Sequence, residues 1–127
     1  MLKALVVDDD ETIRLVAQRH LTVLGFEILT ARTGLEAISL HEQSGFDLIM
    51  MDIQMPECDG FEATKRIREQ ERRDHRQHCK IIAMTASQDK DLALESGMDD
   101  FLLKPFLREE LLKLIGKHFP QLFAQEA

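Results

Sequence analysis

A chain of 127 residues, 44% hydrophobic and 31% charged, has the size and balance of one globular domain. Its net charge of -7 excludes non-specific nucleic-acid binding, which needs a basic surface. No apolar run reaches membrane-spanning length, and Met1-Leu2-Lys3-Ala4 does not open the apolar core of a signal peptide. No membrane insertion is therefore expected. Cys58 and Cys79 belong to no Cys-x-x-Cys pair, so the expected location is cytoplasmic, with both thiols reduced.

Leu2 to Val7 reads as a buried strand that ends in Asp8-Asp9-Asp10. Ile13, Val16, Ala17, Leu21 and Leu24 follow at the spacing of one helix face, and Gly25 stops that helix. Asp10 and Glu11 suit its N-terminus, where the dipole favours negative charge. Phe26 to Ala31 is a second strand, and Thr33-Gly34 opens a helix that Gly45 ends. Leu48 to Met51 is an apolar run, short enough for a strand buried on both faces, and it ends in Asp52.

Beyond Asp59-Gly60, Phe61 to Glu71 forms a charged helix on which Lys65, Arg66 and Arg68 read as a solvated face. Arg72 to His78 reads as a polar loop. Lys80 to Met84 is a fourth strand, ending in Thr85-Ala86-Ser87, and Asp89 to Ser96 a short helix closed by Gly97. Asp100 to Leu103 is a fifth strand, ending in Lys104-Pro105. Leu107, Leu111, Leu114, Ile115 and His118 lie along one face of the last helix. The domain is expected to fill 1–120, with 121–127 a short tail.

Five strands alternating with five helices predict an α/β fold, a doubly wound parallel sheet. The order 2-1-3-4-5, the flavodoxin-like (βα)5 arrangement, is the expected one. All carboxyl ends then share one edge, which gathers Asp8, Asp9, Asp52, Thr85 and Lys104. Asp52 alone could be no more than a strand cap that bonds its own loop. Carboxylates this close repel unless a cation lies between them, and hard oxygen ligands suit Mg²⁺ or Mn²⁺. A lysine and a hydroxyl beside a metal-bound aspartate suit a phosphoryl group, with Asp52 the attacking carboxylate. No glycine-rich loop follows the first strand, so a Rossmann or P-loop nucleotide site is excluded.

The blocks LVVDDDETIR, DLIMMDIQMPECDGFEATKRIR, IIAMTA and FLLKPF resemble the receiver domain of two-component response regulators. The likeness runs from residue 2 to about 118 and is strongest to receivers of hybrid sensor kinases. It implies that Asp52 accepts phosphate from a phosphohistidine. It also implies that Asp9, Asp52 and the Gln54 carbonyl hold Mg²⁺, with Asp8 assisting through water. Thr85 matches the switch hydroxyl, Lys104 the phosphate-contacting lysine, Lys104-Pro105 a cis peptide and Phe101 the aromatic switch. The implied partners are a sensor histidine kinase or histidine phosphotransfer protein. The face built from the fourth helix, fifth strand and last helix is the implied site for a downstream partner or a dimer. Gln54 and Ser87 match the positions that tune phosphate lifetime, Gln54 being expected to block water. Cys58 stands where the family usually has methionine.

Two other readings are weaker. A haloacid dehalogenase-like phosphatase would use Asp8 and Asp10, two residues apart, but needs a cap insertion absent here. A phosphorylation-independent docking module would not need the full acid, hydroxyl and lysine set. The expected role is therefore a signalling switch that catalyses only its own phosphotransfer and slow dephosphorylation. His75, His78 and Cys79 have a spacing that invites zinc, but they are expected to lie in a solvated loop with no fourth ligand. His20, His41 and His118 need no role beyond packing or solvation.

Overall fold

In the computed structural model, which describes residues 1–55, 58–86 and 90–123, the strands are β1 (Lys3–Val7), β2 (Glu27–Ala31), β3 (Leu48–Asp52), β4 (Lys80–Thr85) and β5 (Asp100–Leu103). The helices are α1 (Glu11–Val23), α2 (Gly34–Ser44), α3 (Gly60–Arg73), α4 (Lys90–Glu95) and α5 (Arg108–His118), followed by a 3-10 turn at Pro120–Leu122. The sheet is parallel throughout and ordered β2-β1-β3-β4-β5, as the alternation of elements predicts.

Every residue of β3 is buried, because helices cover both faces. One core layer joins Leu5, Val7, Ile49, Met51, Ile81 and Ala83 to Ala37 of α2, Ala63 and Ile67 of α3 and Ala93 of α4. The other joins Ala4, Val6, Leu48, Met50, Ile82, Met84 and Leu102 to Ala17 and Leu21 of α1 and Leu111 and Ile115 of α5. Alternate residues of each strand thus feed opposite layers. Gly25, Gly45 and Gly97 end their helices at φ of 100°, 72° and 107°, where a side chain would be strained.

Several expectations need correction. The α3 helix runs to Arg73, two residues into the expected loop, because Gln70 and Glu71 are buried and anchor its last turn. Val16 is half-exposed, while Arg14, Ala17 and Leu21 form the buried row of α1. Leu107 is 65% exposed. It precedes α5 instead of packing under it, and its amide donates to Glu110 Oε1 at 2.7 Å. The β2 strand opens at Glu27, one residue later than expected, and the expected start of α4 at Asp89 lies outside the described residues.

Candidate functional site

Register determines which side chains can meet at the carboxyl edge. Val6, Met50, Met84 and Leu102 point into the α1–α5 layer. Two residues further along β1, β3 and β5, the same row continues as Asp8, Asp52 and Lys104. Thr85 continues the opposite row, through Ala83, and is buried. The row converges as its spacing requires. Lys104 Nζ lies 2.7 Å from Asp8 Oδ2 and 3.2 Å from Asp52 Oδ1. The Lys104 amide donates to Thr85 O at 2.6 Å, which locks the end of β5 to the end of β4. The Lys104–Pro105 peptide bond is cis.

Local bonds aim each carboxylate. Asp8 is fully buried; its Oδ1 accepts from the Asp10 amide at 2.9 Å, and Arg14 Nη1 donates to its carbonyl at 2.8 Å. Asp10 caps α1, accepting from Thr12 N at 2.8 Å and Ile13 N at 3.4 Å. Its carboxylate is committed to the helix, which removes it from the paired role a dehalogenase-like site would give it. Asp52 Oδ1 accepts from Gln54 N at 3.2 Å, while the Gln54 side chain is exposed. The start of α3 presses on this loop. A Cβ on Gly60 would fall 2.4 Å from Asp52 O, so only glycine lets the helix approach so closely.

The electrostatics match the crowding. Burial, and then the charge of Asp8, raise the Asp52 carboxyl to about 6 against the pull of Lys104. Burial alone would lower Lys104, but the two aspartates outweigh it and hold its ammonium above the ordinary range. Carboxylate oxygens of Asp8, Asp9 and Asp52 lie within 4.8 Å of one another. Asp8 Oδ2, though in contact with Lys104, receives no well-aligned hydrogen bond. A buried oxygen short of a donor, within an all-oxygen set, fits a small hard divalent cation.

A second cluster, His41, Glu71 and Cys79, is equally tight but unsuited to a metal. His41 Nδ1 accepts from Phe46 N at 3.2 Å, and Nε2 faces Glu71 Oε2 at 3.1 Å. Arg68, a cation, sits 2.8 Å from Glu71 Oε1 and 3.8 Å from Cys79 Sγ. Arg68 is therefore no part of a solvated face: it is buried and also donates to Cys79 O, Gly97 O and Asp99 Oδ2. Neither is Cys79 solvated, and His78 pairs with Asp99 at 2.9 Å instead of completing a zinc set. His41 and His118 do more than pack, since His118 bonds Asp100 Oδ2 at 2.9 Å.

Of the residues singled out in the sequence, Asp8, Asp9, Asp52 and Lys104 come together, with Thr85 one strand away. Phe101 is half-buried beside Ala83 in register, and Ser87 lies outside the described residues. Sequence reasoning missed Arg14, Arg68 and Gly60. The signal for Arg14 was its place in the 14-17-21 row, and that for Gly60 was its position after Asp59. Arg68 carried none, because a buried arginine and a solvated one look alike at helical spacing. No helix among the described residues is long and apolar enough to cross a membrane.

The family model for the response regulator receiver domain matches residues 4–116. Sensor protein GacS of Pseudomonas syringae pv. syringae is 36% identical over 118 residues, which is 91% of this chain but 13% of GacS. The chain thus spans a small part of that relative. Among solved structures, the receiver domain of sensor histidine kinase PA1611 from Pseudomonas aeruginosa PAO1, with magnesium in its active-site cleft, is 34% identical. It matches with a TM-score of 0.80 over 91% of this chain and 95% of that one. The complex of the Saccharomyces cerevisiae histidine phosphotransfer protein Ypd1 with the receiver domain of Ssk1 matches at a TM-score of 0.85. That match has 32% identity and covers 91% of this chain and 87% of that one. A five-stranded fold of the same order, a matching family model and relatives of this identity agree, and the chain belongs to the response regulator receiver domain family, the signalling modules of two-component and phosphorelay systems.

Proposed function

We propose that Asp52 accepts a phosphoryl group from a phosphohistidine and that the chain acts as a cytoplasmic phosphorelay switch. The observation that carries this reading is the meeting of Lys104 with both Asp8 and Asp52 at the carboxyl edge. An Asp52 oxygen attacks phosphorus, an O–P bond forms, and the donor's N–P bond breaks with its electron pair left on the imidazole. Lys104 neutralises the incoming phosphoryl oxygens, and Thr85 donates a hydrogen bond to one of them. Asp8, Asp9, Asp52 and the Gln54 carbonyl would hold Mg²⁺ or Mn²⁺, which supplies further charge neutralisation when bound. Magnesium in the PA1611 receiver supports that assignment.

The donor is a sensor histidine kinase or a histidine phosphotransfer protein, as the hybrid-kinase relatives and the Ypd1 complex suggest. Once Thr85 is drawn toward the phosphate, Phe101 turns inward and alters the α4-β5-α5 face, the proposed site for a downstream partner or dimer. Residues 1–120 make up the switch, with 121–127 a tail. Gln54 and Ser87 tune the phosphate lifetime, Gln54 by blocking water. The test is labelling by acetyl phosphate with and without Mg²⁺, repeated on Asp52→Asn. Labelling that needs both the metal and Asp52 is expected; labelling that survives loss of either defeats the reading.

A further inference from the structure

The Phe101 ring is half-buried and packs against the core layer that contains Ala83, Ala93 and Met98. A cation also stands near it: Lys90 Nζ, at the first residue of α4, lies 5.7 Å from the ring centroid. That distance is within the range of attraction between an ammonium and an aromatic face. Phenylalanine has no hydroxyl, so the ring itself offers no hydrogen bond that could hold it in one position. The contact with Lys90 joins β5 to the start of α4, the two elements of the face proposed above to carry the output.

We infer that Lys90 is a positioning residue that holds Phe101 in its outward position and so opposes switching. This rests on the proposed role of Phe101. Lys90 is exposed, and its ammonium is strongly hydrated. It cannot follow the ring toward the core without losing that water, a larger cost than an exposed cation–ring contact returns. Turning inward therefore breaks the contact, whereas apolar burial of the ring favours the turn. Lys90 weighs on the outward side of this balance, and by linkage it must weaken any ligand that favours the inward state.

The test is a beryllofluoride titration, with Mg²⁺, of the parent, Lys90→Met, Lys90→Arg, Phe101→Leu and the Lys90→Met/Phe101→Leu pair. Loss of the cation should tighten apparent binding by roughly 2- to 5-fold. Arginine, which keeps the cation–ring contact, should leave binding at the parent value. In the Phe101→Leu background, Lys90→Met should have no effect. Tightening that persists without the ring, or its absence in Lys90→Met, overturns the inference. Ring NMR of the unliganded proteins gives an independent reading: Lys90→Met should bring Phe101 ring protons closer to the Ala83 methyl. An unchanged ring overturns the inference whatever beryllofluoride does. A parent that does not bind beryllofluoride at all would instead defeat the assignment of Asp52.

Discussion

Lys104 Nζ stands 3.2 Å from Asp52 Oδ1, yet Asp52 still holds its proton to about pH 6, well above the ordinary 3.8. One lysine shared between two buried aspartates offsets only part of their burial and mutual repulsion. The site is thus electrostatically overloaded.

Between about pH 4 and pH 6 the folded chain binds more protons at Asp52 than the unfolded chain does. Its contribution to stability is therefore present at low pH and is lost as pH rises through 6, the reverse of the usual carboxylate. Asp52→Asn should melt higher than the parent near neutrality, by on the order of 2 kcal/mol, with the gain shrinking toward about pH 5. Mg²⁺ should stabilise the parent more near neutrality than at about pH 5, and should stabilise Asp52→Asn less. Thermal melts across this range check all three statements. A parent whose melting temperature does not depend on Mg²⁺ would contradict a cation site at Asp8, Asp9 and Asp52.

Gly60 is where the backbone of α3 meets the backbone carrying Asp52. Gly60→Ala brings a Cβ within 2.4 Å of Asp52 O and 2.9 Å of Ile53 Cα, so the loop must move. We expect a stability loss of about 1–3 kcal/mol and labelling by acetyl phosphate slowed roughly 10- to 100-fold. Gly25→Ala strains a residue at φ 100° but meets nothing within 4 Å, at the opposite edge of the sheet. It should cost stability without slowing labelling. Equal labelling rates in the two variants would show that the Gly60 contact does not position Asp52.

Arg68 ties α3 to the start of β4 and to the turn after α4. Arg68→Met leaves Glu71 and Asp99 without their cation and should cost about 3–5 kcal/mol in urea unfolding. Burial alone would raise Glu71, but bonds from His41, the Cys79 amide and Arg68 outweigh it and hold its carboxyl at about 2. That stability is present above the ordinary 4.5 and is lost as pH falls toward 2. The variant should lose less stability than the parent over this acid range. An unchanged acid profile would mean that Arg68 contributes little to Glu71.

The strand order and the carboxylate row were legible because both follow from pattern. Strand and helix periods differ, glycines mark the joints, and parity places Asp8, Asp52 and Lys104 on one row. Arg68 was not legible, because a charge at helical spacing reads as solvated unless its buried partners are known, and those come from β4 and the turn at Gly97. The exposure of Val16 was hidden for a related reason. Arg14 is turned inward with its guanidinium on the Asp8 carbonyl, and Val16, two positions on, falls on the other side of the helix.

Asp52 and Thr85 issue from opposite faces of the sheet and meet only at its carboxyl rim. The layer under Thr85, with Ile49, Met51, Ile81 and Ala83, is also the one on which Phe101 rests. If Thr85 and Phe101 act as proposed, drift in that interior changes the melting point and the seat of the ring together. The layer under Asp52, with Met50, Met84 and Leu111, carries no such ring and is free to drift with stability alone. Robustness and responsiveness then share one face of this sheet and part company on the other.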